Sequence, residues 1–163
     1  MIEFLKDALK YIIVLVVVII INIFIITLDI VSGNSMRPKY NNNDLLLIEK
    51  VSVMFNRIDR FDIVLINTET ERRVIKRVIG MPSETIYYRD NVLYINNERV
   101  AEDFLRENTI TEDFGPITLG DNEYFVLGDN RYDSLDSRDY GPITKRDITG
   151  KSIIRLWPIR ERS

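Results

Sequence analysis

The chain begins with an apolar run from Tyr11 to Leu28 (YIIVLVVVIIINIFIITL), and beyond it the pattern of apolar and polar positions changes period. As helix, the run would span about 27 Å, close to the roughly 30 Å hydrocarbon core of a bilayer. Asn22 is its strongly polar interruption; such a residue is tolerated in a span or marks a helix–helix contact. Lys6 and Lys10 precede the run and no Lys or Arg follows until Arg37. The positive-inside rule then gives a cytoplasmic tail over 1–10, a single-pass anchor over 11–28 and an extracytoplasmic domain over 29–163. Val31-Ser32-Gly33 has the small residues of a cleavage site. Cleaved signals, however, have apolar cores of only about 7–15 residues, so a retained anchor in the cell membrane is expected.

Past Leu28 the apolar runs are short and bounded by polar residues, which is the pattern of buried strands. Asp44–Glu49, Asp62–Ile66, Arg73–Ile79, Glu84–Arg89, Val92–Ile95, Glu123–Leu127 and Ser152–Trp157 read as strands. Asp90-Asn91 is a tight-turn pair, and Asn96-Asn97 turns the chain again toward Arg99-Val100. Nothing past Leu28 holds a helical period for any length, and Asp103–Asn122, acidic and turn-rich, reads as a long surface excursion. The expected fold is mostly β: a compact antiparallel domain, as two small sheets or a partial barrel, behind one N-terminal transmembrane helix.

Composition narrows the chemistry. The 163 residues leave about 135 beyond the anchor, enough for one core. A net charge of -3 argues against nucleic acid as a partner. The chain has no Cys and no His, so disulfides, thiol nucleophiles and the commonest metal ligands are gone. No acidic spacing resembles a calcium loop, and no metal or other cofactor is expected.

Three segments could carry a reaction. Gly33-Asn34-Ser35-Met36-Arg37-Pro38 sits just past the apolar run, where a nucleophile would reach only bonds held near the bilayer. A serine hydroxyl is weak until a neighbour takes its proton, and without His that neighbour is Lys, Asp, Glu or Tyr. Of Lys39, Lys50, Lys76, Lys145 and Lys151, Lys76 alone lies inside a strongly apolar strand pattern. Strand alternation puts Val74, Lys76 and Val78 on one face and Ile75, Arg77 and Ile79 on the other, so periodicity does not choose between the two cations. Chemistry does: Arg keeps its proton, whereas a desolvated Lys can lose one. Lowering a lysine from about 10.4 to roughly 8 takes about 3 kcal/mol, within reach of burial. The third segment, Gly128–Arg138 (GDNRYDSLDSR), is a solvated loop or a scaffold. As a scaffold, Asp136 would pair with Arg138, and Ser134 would orient a lysine amine.

Together these segments resemble type I signal peptidases of the single-anchor Gram-positive type, membrane-bound serine proteases that remove signal peptides. The family's boxes appear in order as Ser35-Met36-Arg37-Pro38, Phe61-Asp62-Ile63-Val64, Lys76–Glu84 (KRVIGMPSE) and Gly128–Arg138. The resemblance implies Ser35 as nucleophile and Lys76 as general base, with Ser134, Asp136, Arg138 and Asp129 supporting the dyad. It implies shallow pockets walled by Val31, Met36, Val74 and Ile75 that take small residues, usually Ala. It implies preprotein signal peptides as substrate, a lipid bilayer around the anchor, and room for a secretion translocon beside it. Some members add a hydroxyl two positions before the nucleophile; here Gly33 has none. Lys39, Phe61 and Ser83-Glu84 depart from the family's Thr, Gly and Gly-Asp. Two other readings are a LexA-like self-cleaving Ser/Lys protease, disfavoured because the span occupies the DNA-binding module's place, and a catalytically silent membrane-anchored binding domain.

Overall fold

In the computed structural model the described residues are 2–67 and 73–158, with the backbone alone described at 2–5 and 22. A contact made by the Asn22 side chain therefore lies outside the described residues. The apolar run forms most of helix α1 (Ile2–Phe24), and its side chains from Tyr11 to Ile20 are all exposed. The helix stops short of the expected boundary at Leu28. After a turn at Ile25 the chain enters strand β1 (Ile26–Ile30), antiparallel to β2 (Leu45–Glu49). The cause is the switch to alternation in Thr27-Leu28-Asp29-Ile30, where two polar side chains interrupt the apolar face at strand spacing. Tyr11 to Phe24 is about 21 Å of helix at 1.5 Å per residue, shorter than the hydrocarbon core. Among the described residues no helix is long and apolar enough to cross a membrane.

The rest is mostly β. After a helical turn α2 (Val51–Met54) come β3 (Ile63–Ile66), β4 (Val74–Gly80), β5 (Thr85–Arg89), β6 (Val92–Ile95) and β7 (Glu98–Val100). Then follow β8 (Phe114–Thr118), β9 (Glu123–Leu127), the short helix α3 (Ser137–Tyr140), β10 (Ile143–Thr144) and β11 (Ile148–Trp157). A seven-stranded sheet runs β1-β2-β11-β3-β4-β9-β10, and a four-stranded sheet runs β7-β6-β5-β8. Every ladder is antiparallel. Register shifts along β11, against both β2 and β3, bend the large sheet, so it curls into a half-barrel.

The small sheet is built on two asparagine-rich turns. Asp90-Asn91 and Asn96-Asn97 all lie at positive φ, the backbone that a tight hairpin with right-handed strand twist requires. The excursion expected over 103–122 is corrected in part: residues 114–118 are β8, paired to β5. Gly115-Pro116 suits an edge strand, which needs no inward donor on its open side.

Among the described residues three apolar clusters form the core. One packs Val31, Met36 and Tyr40 of the β1–β2 connection against Leu46, Ile48, Ile63, Leu65 and Ile75. A second fills the concave sheet with Val64, Ile66, Val78 and Val126. The third joins the two sheets through Ile79, Phe125 and Leu127 against Ile86, Tyr88 and Leu93. The first fixes the connection that carries Ser35.

Candidate active site

Ser35 is held from below. The Val31 N–H donates to the Asp44 carbonyl and the Asn43 N–H to the Val31 carbonyl, each at 2.9 Å, extending the β1–β2 ladder into the connection. Met36, directly after the serine, is 1% exposed and plugs the first apolar cluster. Burying a methionine contributes about 2–3 kcal/mol, so this side chain pins the turn. Tyr40 closes the other end, its hydroxyl 2.9 Å from that of Ser152. Gly33 sits at φ 88°, and a side chain there would meet no other atom within 4 Å, so the approach to Ser35 is open.

Lys76 comes up from β4. It is 3% exposed, and its Nζ donates to the Ser134 hydroxyl at 3.1 Å. That hydroxyl also lies near the Asp136 carboxylate and helps to lower its pKa. Asp136 is fully buried and accepts two bonds from the Arg138 guanidinium at 2.8 Å each and one from the Gly128 N–H at 3.0 Å. Burial alone pushes its carboxyl up. The Arg138 guanidinium, the Gly128 N–H and the Ser134 hydroxyl outweigh burial and hold it below the ordinary carboxylate range. Asp136 also caps α3, its carboxylate accepting from the Arg138 N–H while its own N–H donates to the Asp139 carboxylate. Ser134 thus accepts from the lysine on one side and has the ionised Asp136 carboxylate as its neighbour on the other.

Arg77, the neighbouring cation, goes elsewhere. Its guanidinium grips Asp129 at 2.6 and 2.7 Å, donates to the Phe61 carbonyl at 2.8 Å, and stacks 4.0 Å over the Phe104 ring. Asp129 thus holds Arg77, and through it the excursion, with its carboxylate turned to the guanidinium on the far face of β4 from Lys76.

Ser35 and Lys76 line one small cleft of about 40 Å³. The four side chains expected as substrate walls, Val31, Met36, Val74 and Ile75, line it too. So do Ile30, Ser32 and Arg73. The chain matches the family model "Signal peptidase, peptidase S26" over residues 2–157. The chain belongs to that family. Its members include signal peptidase I S of Bacillus subtilis (strain 168), 35% identical over 96% of this chain and 91% of that protein. Signal peptidase I T of the same organism is 37% identical, over 60% of this chain and 56% of that protein. A solved signal peptidase I from Enterococcus faecalis V583 is 37% identical and superposes with a TM-score of 0.52, covering 58% of this chain and 95% of that one. The chain is accordingly a serine-type peptidase, a hydrolase.

Two further residues beside this cleft carried no signal in the sequence beyond their place in a box. Gly128 lies between the two serines: a Cβ there would collide with Ser134 Oγ and sit 2.6 Å from the Ser35 carbonyl. Arg131 is a buried clamp. It donates to the Gly128 carbonyl at 3.1 Å, to Thr111 Oγ1 at 2.9 Å, to Glu102 at 2.6 Å and to the Tyr88 hydroxyl. Only contact with residues far away in sequence reveals that role. Among the described residues no cluster of acidic side chains could hold a metal ion.

Proposed function

We propose that this chain is a membrane-anchored endopeptidase that removes signal peptides from exported preproteins after small residues of the Ala-x-Ala type, using Ser35 as nucleophile and Lys76 as general base. The observation that carries the reading is the buried Lys76 amine, donating to Ser134 and lining the same cleft as Ser35. Burial disfavours the ammonium form of a lysine, and the neutral amine carries the lone pair that can accept the Ser35 proton.

The steps follow. Neutral Lys76 takes the proton as Ser35 Oγ attacks the scissile carbonyl, forming the C–O bond of a tetrahedral intermediate. Backbone N–H donors near Ser35 stabilise its oxyanion. The C–N bond then breaks, and Lys76 passes the proton to the leaving amine. Lys76 next activates water, which releases the acyl group. A cleft of about 40 Å³ holds little more than a methyl group, which supports selection for alanine. The peptide runs extended beside β1, whose outer edge carries no partner strand among the described residues.

Anchoring rests on α1. Ten successive side chains from Tyr11 to Ile20 are exposed and apolar around the whole helix, a surface that suits lipid. Its apolar length is short, so Lys6 and Lys10 would snorkel to the cytoplasmic interface while the domain sits outside.

The test is cleavage of a precursor with an Ala-x-Ala site by purified full-length protein in detergent. Wild type should process it, and Ser35→Ala and Lys76→Ala should each lose activity by at least about a thousandfold. The wild-type rate should climb from pH 6 to pH 9 as the base loses its proton. Normal processing by Ser35→Ala ends the reading, and a flat pH profile removes Lys76 from it.

A further inference from the structure

On the other side of Ser35 lies a second cavity that the reading above leaves unused. It encloses about 370 Å³ and opens at Arg37 and Pro38, just past the serine. Its far wall is the 106–109 segment of the excursion, and its floor is Asn130 to Tyr132. The Asn130 N–H donates to the Ser35 carbonyl at 2.8 Å, so the serine's own backbone divides this cavity from the small cleft.

Its charge is uneven. Asp129 is held by Arg77, and Arg131 by Glu102, so both lining charges are neutralised within the fold. Arg37 and Arg106 are exposed and enter no ion pair among the described residues. Among the described residues lining the cavity, Glu107 is the acid left to oppose them. Tyr132, 71% exposed, adds a flat apolar wall.

We propose that this cavity receives the first residues on the mature side of the cut and selects an acidic side chain there, with Arg37 and Arg106 supplying the attraction. The inference rests on Ser35 as the nucleophile. A peptide whose small residue fills the cleft beside Val31 must continue past the serine, at about 3.3 Å per residue. Its next side chains then meet a space wide enough for any residue and bearing unneutralised positive charge. Exposed arginine–carboxylate attractions are individually weak and are screened by salt. Two together, compared with repulsion of a lysine, amount to about a tenfold difference in kcat/KM.

The experiment uses full-length protein in neutral detergent and peptides with one Ala-x-Ala site. Asp or Lys is placed in turn at each of the first five mature positions of an otherwise neutral sequence. The expected result is an Asp:Lys ratio of kcat/KM near ten at one or two adjacent positions, carried mainly in KM and reduced in 0.5 M salt. Arg106→Glu should bring that ratio to one or below, and Arg106→Lys should retain it. A ratio near one at every position, or one unchanged in Arg106→Glu, overturns the proposal. So does an unchanged ratio alongside weakened binding of Arg106→Glu to anionic vesicles, which would make the cavity a headgroup site. Cleavage of the neutral peptide by wild type but not by Ser35→Ala keeps the nucleophile assignment intact in each of those cases.

Discussion

Ser83 and Phe61 stand where the signal peptidase pattern has glycine, and both occupy left-handed backbone, at φ 65° and 70°. The substitutions keep the geometry at a cost of roughly 1–2 kcal/mol each. They differ in what the side chain returns. Phe61 packs on Phe104 at 5.0 Å and aims its carbonyl at Arg77, so its ring offsets the strain. Ser83 has only an exposed hydroxyl bond to Asp121 at 2.8 Å. Ser83→Gly should therefore raise stability by about 0.5–1 kcal/mol, read as a higher urea midpoint at unchanged slope. Phe61→Gly should lower it despite the relieved backbone. A destabilised Ser83→Gly would mean that the hydroxyl bond outweighs the strain. The departures themselves were visible in the sequence. That both positions are left-handed was not, because residue identity reports the backbone only where glycine or asparagine is used.

At the scale of elements, strands with apolar runs and Asx turns at their ends were legible: β2 to β7 and β9 fall where alternation and the Asn pairs put them. Two of the failures share a cause. Ile26 to Leu28 were absorbed into the apolar run before them, and Phe114 to Thr118 carries Gly115-Pro116, a pair that reads as a turn. Each becomes a strand only because a partner offers a ladder, β2 for one and β5 for the other. The site divides the same way. Ser35, Lys76 and the Asp136–Arg138 pair stood out by residue type, while the Arg131 clamp was hidden because its partners lie 20, 29 and 43 residues away. That clamp ties the excursion to the loop bearing Ser134. Burial raises the Glu102 carboxyl above its usual range, and the Arg131 charge opposes that rise without cancelling it. For an acid with a raised folded value, stability is fully present below the unfolded value and is lost as pH climbs through the folded one. Removing the guanidinium lifts the Glu102 value further. Arg131→Met should therefore cost about 3–5 kcal/mol near neutral pH and less at pH 5, where Glu102 can take a proton. Urea unfolding at pH 5 and pH 8 checks this, and a penalty that shrinks with rising pH would refute it.

For the whole molecule, the open question is how the domain sits against the lipid that α1 is proposed to enter. The β ladders align exposed and half-buried apolar side chains across three neighbouring strands. Leu28 faces Leu47, which faces Ile154; Ile30 faces Leu45, which faces Trp157. Residues opposite one another in an antiparallel sheet project from the same face, so these six form one apolar patch. Leu28, Ile30, Ile154 and Trp157 are each more than half exposed, and β1 follows α1 after a single turn residue. A patch so placed has one economical cover, the outer leaflet itself, which would also hold Ser35 at a fixed depth. Trp157 is the only tryptophan in the chain, so fluorescence reports this patch alone. Full-length protein reconstituted into vesicles containing brominated lipid should show Trp157 quenched, most strongly by bromines near the headgroup end of the acyl chains. Ile30→Lys with Ile154→Lys should reduce the quenching and slow cleavage of membrane-inserted precursors more than cleavage of soluble peptides. An unquenched Trp157 would turn this face away from the bilayer and leave α1 as the sole tether.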